Sequence, residues 1–409
     1  VVIPILGIGL FAVIHKVGPL FKRVFRKYDA LNNSIQENVK GMRVVKSFVR
    51  EDYEKNKFGK ASEEVCADFT KAERLVALNS PAMQIAMYTA MIIVSYVGAK
   101  LIINSGGSTM GVGALSSMFT YGMQILSSLM MLSMIFVMIT ISNASIQRIC
   151  EVLNEESTIE NPENPKTSVP NGSIDFNGVS FKYHAGAEKY ALTDIDLHIK
   201  SGETIGIIGG TGSSKSSLIQ LISRLYDATE GEVLVGGSNV KDYDIETLRS
   251  AVSVVLQKNV LFSGTIKENL RWGDMNATDE ELVRVCKLAQ ADEFINTLPD
   301  GYDTHIEQGG TNVSGGQKQR LCIARALLKK PKIIIFDDST SAVDTKTDAL
   351  IRNALATEIP DTTKIIIAQR ISSVQDADRV VVMEDGRINA VGTHDELLES
   401  NEIYKEVYY

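Results

Sequence analysis

The residues most open to a chemical reading are Gly209-Gly210-Thr211-Gly212-Ser213-Ser214-Lys215-Ser216-Ser217, which follow the strand-like apolar run 204–208. Backbone N–H groups in a glycine-rich turn that opens into a helix cradle phosphate oxygens. In the spacing G-x-x-x-x-G-K-[ST], Lys215 would reach the β and γ phosphates of a nucleotide and the Ser216 hydroxyl would ligate Mg2+. One position departs from that pattern: Ser214 stands where glycine is expected, so a Cβ sits beside the phosphate path. A second pair, Asp337-Asp338, ends the run Ile333-Ile334-Ile335-Phe336. A buried parallel strand delivers a carboxylate to bound Mg2+ at its carboxyl end, which makes Asp337 the metal-side acid. Asp338 then takes the place where a general base would meet the attacking water. Third, Val313-Ser314-Gly315-Gly316-Gln317 precedes a helix predicted over 318–328, and a serine with two glycines at a helix start suits an anion.

These groups need a scaffold, and the sequence supplies strand, glycine loop and helix in that order, with Leu218, Leu221, Ile222 and Leu225 spaced along one helix face. The pattern implies an α/β P-loop NTPase domain over residues 173–409. A different composition precedes it. Across residues 75–147 the single Asp, Glu, Lys or Arg is Lys100, far below the roughly 25% charged content of soluble domains. The polar break at 104–109 divides that tract into two apolar spans, each long enough to cross a hydrocarbon core of about 30 Å. They are expected as membrane helices over 80–103 and 112–141. Residues 1–14 form a third apolar run, cut short at its start. Lys16, Lys22, Arg23, Arg26 and Lys27 follow it at once, whereas the break at 104–109 holds no Lys or Arg, which places residues 15–74 on the cytoplasmic side. There Phe21, Val24, Phe25, Tyr28, Leu31 and Ile35 share a helical face. Residues 1–153 thus read as a partial, all-α transmembrane domain, and the polar segment 154–172, with Pro162, Pro165 and Pro170, as a linker.

Composition narrows the function classes. Forty-two Lys and Arg against 50 Asp and Glu give a net charge of -8, which argues against a nucleic-acid partner. Cys66, Cys150, Cys286 and Cys322 have no metal-site or redox spacing and are expected as buried, reduced thiols. Eleven of the 13 methionines lie between Met42 and Met138, with Met118, Met123, Met130, Met131, Met134 and Met138 in the last span. Such polarizable side chains suit either varied apolar ligands or plain packing against lipid.

Taken together the motifs resemble the ATP-binding cassette (ABC) transporters, in particular exporters whose membrane domain is fused ahead of the nucleotide domain. The resemblance covers the whole chain. It implies ATP and Mg2+ as cofactors, Tyr183 of Val-Ser-Phe-Lys-Tyr as the residue that stacks on adenine, and Gln257 as the Q-loop glutamine at the metal and the attacking water. Val313 to Gln317 become the signature motif, Ser341-Ala342-Val343-Asp344 the D-loop, and residues 37–48 the coupling region between spans four and five. Spans one to three would then be absent from this sequence. Two further departures show against the family pattern: Asp338 replaces the catalytic glutamate, and Gln369 of Ile-Ala-Gln-Arg replaces the switch histidine. A carboxylate shorter by one methylene retreats by more than about 1 Å, and a misplacement of that order can cost about 10²-fold. Gln369 offers a γ phosphate neither a cation nor a titratable proton. The resemblance therefore implies half of a heterodimeric exporter of the multidrug type in a bacterial cell membrane. Its own site would be degenerate, its signature would complete a second half-transporter's site, and its substrate would be a hydrophobic small molecule. A slow homodimeric exporter and an ATP-gated regulatory or channel-like subunit are the alternatives.

Overall fold

The charge-poor tract and the mixed sequence after it fold as separate bodies. The computed structural model describes every residue except 1, 107, 109, 185, 339–342 and 409, and it divides into the units Val1–Glu156 and Ser157–Tyr409. The first is helical: α1 (Val2–Ser47), α2 (Glu51–Ala77), α3 (Asn79–Ser105) and α4 (Val112–Leu153). Gly106, at φ 60°, closes α3 in the left-handed conformation that a helix end favours. Stretches within Glu51–Ser105 and Val112–Phe136 are long and apolar enough to cross a membrane, with mean hydropathy 1.7 and 1.4, and at most 6% of either window is buried. In a soluble core helix that surface would be covered by protein; here it is left for lipid or neighbouring spans. Met131 and Met134 of α4 are exposed in this way, while the side chain of Met130 lies outside the described residues.

Helices α1 and α2 pack through Phe21 and Ala72, with Leu20, Phe25, Leu75 and Val76 around them, and Val24 is buried as well. Buried Asp68 meets Arg23 at 2.9 Å and Lys27 at 3.0 Å. The predicted stripe serves only as far as Phe25. Beyond it the two helices meet through ion pairs, Lys27 with Glu64 and Lys57 with Glu37, and Tyr28 and Ile35 stay exposed. Residues 37–47 are the last turns of α1, and the chain reverses through 48–50.

The second unit holds a six-stranded sheet in which β3 (Thr204–Gly209), β10 (Thr363–Ile367), β9 (Ile333–Asp337), β6 (Val252–Val255) and β11 (Arg379–Glu384) run parallel and β12 (Arg387–Gly392) antiparallel, in the order β12-β11-β3-β10-β9-β6. Its apolar runs are buried on both faces, as expected of parallel strands. Ile205, Ile207, Ile333, Ile335, Ile365 and Ile367 enter one core and Ile208, Ile334, Phe336 and Ile366 the other. The first core also takes a four-stranded antiparallel sheet, order β2-β1-β4-β5, of β1 (Ile174–Phe181), β2 (Leu192–Ile199), β4 (Glu230–Val235) and β5 (Ser238–Asn239), and helix α5 (Lys215–Ile222). Into the second pack α7 (Ile266–Arg271), α8 (Asp279–Leu288), α9 (Asp292–Asn296), α10 (Gly315–Leu328) and α11 (Thr345–Glu358). Short α6 (Ile245–Ala251), the ribbon of β7 (Gly264–Thr265) with β8 (His305–Ile306), and the terminal α12 (His394–Ser400) and α13 (Glu402–Tyr408) complete the unit. Asn161, within the predicted linker, is fastened to this unit: it donates to Asp244 at 2.7 Å and accepts from the Ile245 N–H at 2.8 Å.

Three expectations need correction. Helix α5 stops at Ile222 because Arg224 takes φ 49°, so Leu225 is exposed rather than on the buried face. Helix α10 begins at Gly315, three residues before the expected start, since Ser314 caps it. Cys286 and Cys322 are buried, but Cys66 of α2 and Cys150 of α4 are exposed.

Candidate nucleotide site

Parallel pairing sets Asp337 level with Ile367, and Ile367 level with Ile207. The register therefore brings the carboxyl ends of β3, β10 and β9 to one edge of the sheet, where their loops carry the candidate residues. At the end of β3, Gly209 takes φ 155°, and a Cβ there would lie 2.2 Å from the Met383 carbonyl oxygen, so only glycine fits. Gly210, Thr211, Gly212 and Ser213 form the loop, with the Ser213 N–H bonded to the Gly210 carbonyl. Ser214, the N-cap of α5, adopts φ 68° and ψ 23°. Left-handed backbone costs a residue with a Cβ about 1–2 kcal/mol, so the loop keeps the shape made for glycine although the glycine is gone. The Ser214 side chain makes no capping bond, which leaves the first N–H groups of α5 for an anion.

Lys215 extends into the loop and donates to the Gly209 and Gly210 carbonyls at 2.7 and 2.8 Å and to the Ser213 hydroxyl at 3.1 Å. Burial lowers its pKa, and the charges of Asp337 and Asp338 oppose that shift. The Ser216 hydroxyl donates to Asp337 Oδ1 at 3.2 Å. Burial raises the Asp337 pKa against the pull of Ser216 and Lys215, and the charge of Asp338 adds to the rise. A hydroxyl and a buried carboxylate side by side at a strand end are hard oxygen donors of the kind Mg2+ takes, so the donor set fits that ion. Ser217, also buried, lies 2.7 Å from the hydroxyl of Tyr183, whose ring packs edge-on to Phe181 and Tyr226.

Asp338 stands just beyond β9 at φ 46°. Its Oδ2 accepts from Gln257 Nε2 at 3.1 Å and from Gln369 Nε2 at 2.8 Å. An amide that donates through Nε2 keeps Oε1 as an acceptor, so Gln257 can hold Asp338 and still offer an oxygen to a cation. The predicted site residues of the loop, β9, Gln257 and Gln369 are thus brought together. The signature residues form a centre of their own at the start of α10. Ser314 Oγ accepts from the Gln317 N–H at 3.3 Å, and the Ser314 N–H donates to Gln317 Oε1 at 2.9 Å. Gly315 and Gly316 are the first helical residues between them. This reciprocal cap was legible as S-x-x-Q. Of the D-loop, Ser341 and Ala342 lie outside the described residues; Val343 is buried, and Asp344 caps α11 through the Thr347 N–H at 2.9 Å. Sequence reading missed Asp348 and Ser373, which line one cavity with Gln369, and Arg352, which bonds Asp348; the i, i+4 spacing of Asp348 and Arg352 was the available signal.

Residues 192–341 match the family model for the ABC transporter and residues 1–129 that for the ABC transporter transmembrane region. The chain belongs to the ABC transporter family. An ABC transporter ATP-binding protein of Mycobacterium tuberculosis is 39% identical over 409 residues, 99% of this chain and 69% of that protein. One of Bacillus subtilis is 39% identical over 408 residues, 100% of this chain and 70% of that protein. A Staphylococcus aureus protein named for multidrug export is 40% identical over 375 residues, 91% of this chain and 64% of that protein. Among solved structures, a bacterial Atm1-family ABC exporter with ATP bound superposes with a TM-score of 0.88 at 28% identity, over 99% of this chain and 71% of that one. A membrane region and an ABC ATPase joined in one polypeptide make an exporter-type half-transporter, a membrane protein whose ATPase lies in the cytoplasm and which works as a dimer.

Proposed function

We propose that this chain is the ATP-binding and permease subunit of an exporter for lipophilic or amphipathic small molecules in a bacterial cell membrane. We further propose that it pairs with a different half-transporter. Residues 1–153 would form the membrane part, 154–172 the connector and 173–409 the nucleotide domain, with 37–48 coupling the two functions. The multidrug naming of the Staphylococcus relative and the bacterial source of the others support the substrate class and the membrane.

At this chain's own site, Gly209 to Ser217 hold the phosphates, Tyr183 the adenine, and Ser216, Asp337 and Gln257 the Mg2+, which supplies charge neutralisation at the β and γ phosphates when bound. Asp338 orients the attacking water, and Gln369 faces the γ phosphate. The observation that carries the asymmetric reading is the pair of amide bonds on Asp338 Oδ2. Two neutral donors occupy the oxygen that would take the water's proton, and neither brings a positive charge to the transferring phosphoryl group. Ser314 to Gln317, with their intact helix start, would then complete the partner's site, where turnover proceeds. The test is steady-state Mg2+-ATPase of the natural full-length subunit, alone and copurified with its partner. The subunit alone is expected to turn over slowly and the pair fast. Equal rates from both preparations would leave no role for a second kind of subunit.

A further inference from the structure

Gln369 lies just beyond β10 and donates to Asp338 Oδ2 at 2.8 Å, and the segment that follows it is tied to α11. Asp348, in the first turn of α11, is 5% exposed. Its Oδ2 accepts from Arg352 Nε at 3.3 Å and faces the Ser373 hydroxyl at 3.4 Å, while its Oδ1 is buried without a partner. The same guanidinium donates through Nη1 to Asp376 Oδ2 at 2.6 Å. Arg352 thus forks between the helix that follows the D-loop and the segment that follows Gln369. Asp338, Asp348, Gln369 and Ser373 wall one cavity of about 100 Å³, so the carboxylate that holds Arg352 faces the same space as the amide that holds Asp338.

We propose that Asp348 and Arg352 are positioning residues: they clamp residues 371–376 onto α11 and so set where Gln369 stands on Asp338. This rests on the reading of Asp338 and Gln369 as the groups on the γ-phosphate side. A buried carboxylate with one oxygen unpaired is a costly thing to keep, and the guanidinium is what offsets it. The fork also gives the D-loop helix a rigid grip on the switch segment. A shift at one would move the other, whereas two independent loops would move separately. Arg352 is needed as an arginine, because a lysine ammonium has no planar fork to serve Asp348 and Asp376 in fixed geometry.

The experiment uses the natural full-length subunit assembled with its partner. Hydrogen exchange of residues 368–376 and single-turnover hydrolysis at this chain's site are measured for Asp348→Asn, Arg352→Lys, Gln369→Ala and the double variant Asp348→Asn/Gln369→Ala. Asp348→Asn and Arg352→Lys are expected to speed exchange in 369–376 and to lower single turnover by about tenfold, the cost of a misplacement below 1 Å, with ATP affinity within about twofold. The double variant should be no slower than Gln369→Ala alone, since both act through one amide. Unchanged exchange, or rate losses that multiply in the double variant, overturns the clamp. Faster exchange with hydrolysis indifferent to Gln369→Ala upholds the clamp and sinks instead the assignment of Gln369 to the γ phosphate. If Asp348→Asn proves unstable, Arg352→Lys, which keeps the charge balance, carries the same test.

Discussion

Helices α5 and α10 each follow an N-cap serine in a candidate anion-binding motif, and the two starts are built in opposite ways. Ser214 sits at φ 68° with no capping bond, while Ser314 sits at φ -69° and ψ 162° and shares a reciprocal cap with Gln317. The same side chain is strained and idle in one place and relaxed and engaged in the other. Backbone conformation makes the difference: an N-cap serine caps from extended φ and ψ, whereas a serine in the left-handed region is displaced from that geometry. The contrast matches the division of labour proposed between a weakened own site and an intact signature.

The sharpest way to break that comparison is Ser314→Arg. It removes the cap and sets a guanidinium at the helix start, and ATPase of the assembled pair is expected to fall by about 10²- to 10³-fold, as for loss of one oxyanion donor. Near-normal steady-state turnover at saturating ATP would show that this signature does not serve the working site. Lys215→Ala probes the other helix. Losing a charged donor should weaken nucleotide occupancy at this chain's site by about tenfold or more, measured by photolabelling, while turnover of the pair changes less than with the matching change in the partner. Equal turnover losses from the two lysine variants would count against the asymmetry.

Asp338→Glu restores the missing methylene but leaves Gln369 and Ser214 in place. A gain of only about twofold to fivefold in single turnover is expected, because groups acting as a unit are not additive. A much larger gain would identify the short carboxylate as the whole defect. The smallest effect belongs to Ser214→Gly, which relieves the left-handed strain. Stability should rise by about 1 kcal/mol, raising the thermal midpoint by about 2–4 °C for a domain of this size. A lowered midpoint would mean that the serine side chain contributes something its unbonded state here does not reveal.

Much of this was open to reading from residue order alone. The glycine loop between a β-branched run and an amphipathic helix, the acidic end of Ile333-Ile334-Ile335-Phe336 and the nearly charge-free tract are local patterns. Burial on both faces of a sheet, or in lipid, dictates them. Helix ends were less legible: Arg224 stops α5 early and Ser314 starts α10 early, because caps and left-handed residues decide ends that hydrophobic spacing leaves open. What the tertiary structure alone decided is which groups meet. Gln257 and Gln369 lie 81 and 31 residues from Asp338, yet share its Oδ2, and Arg352 joins Asp348 to an aspartate 24 residues beyond the arginine. Such meetings depend on strand register and loop conformation. These are set by packing across the whole sheet and not by the sequence near any one of the residues.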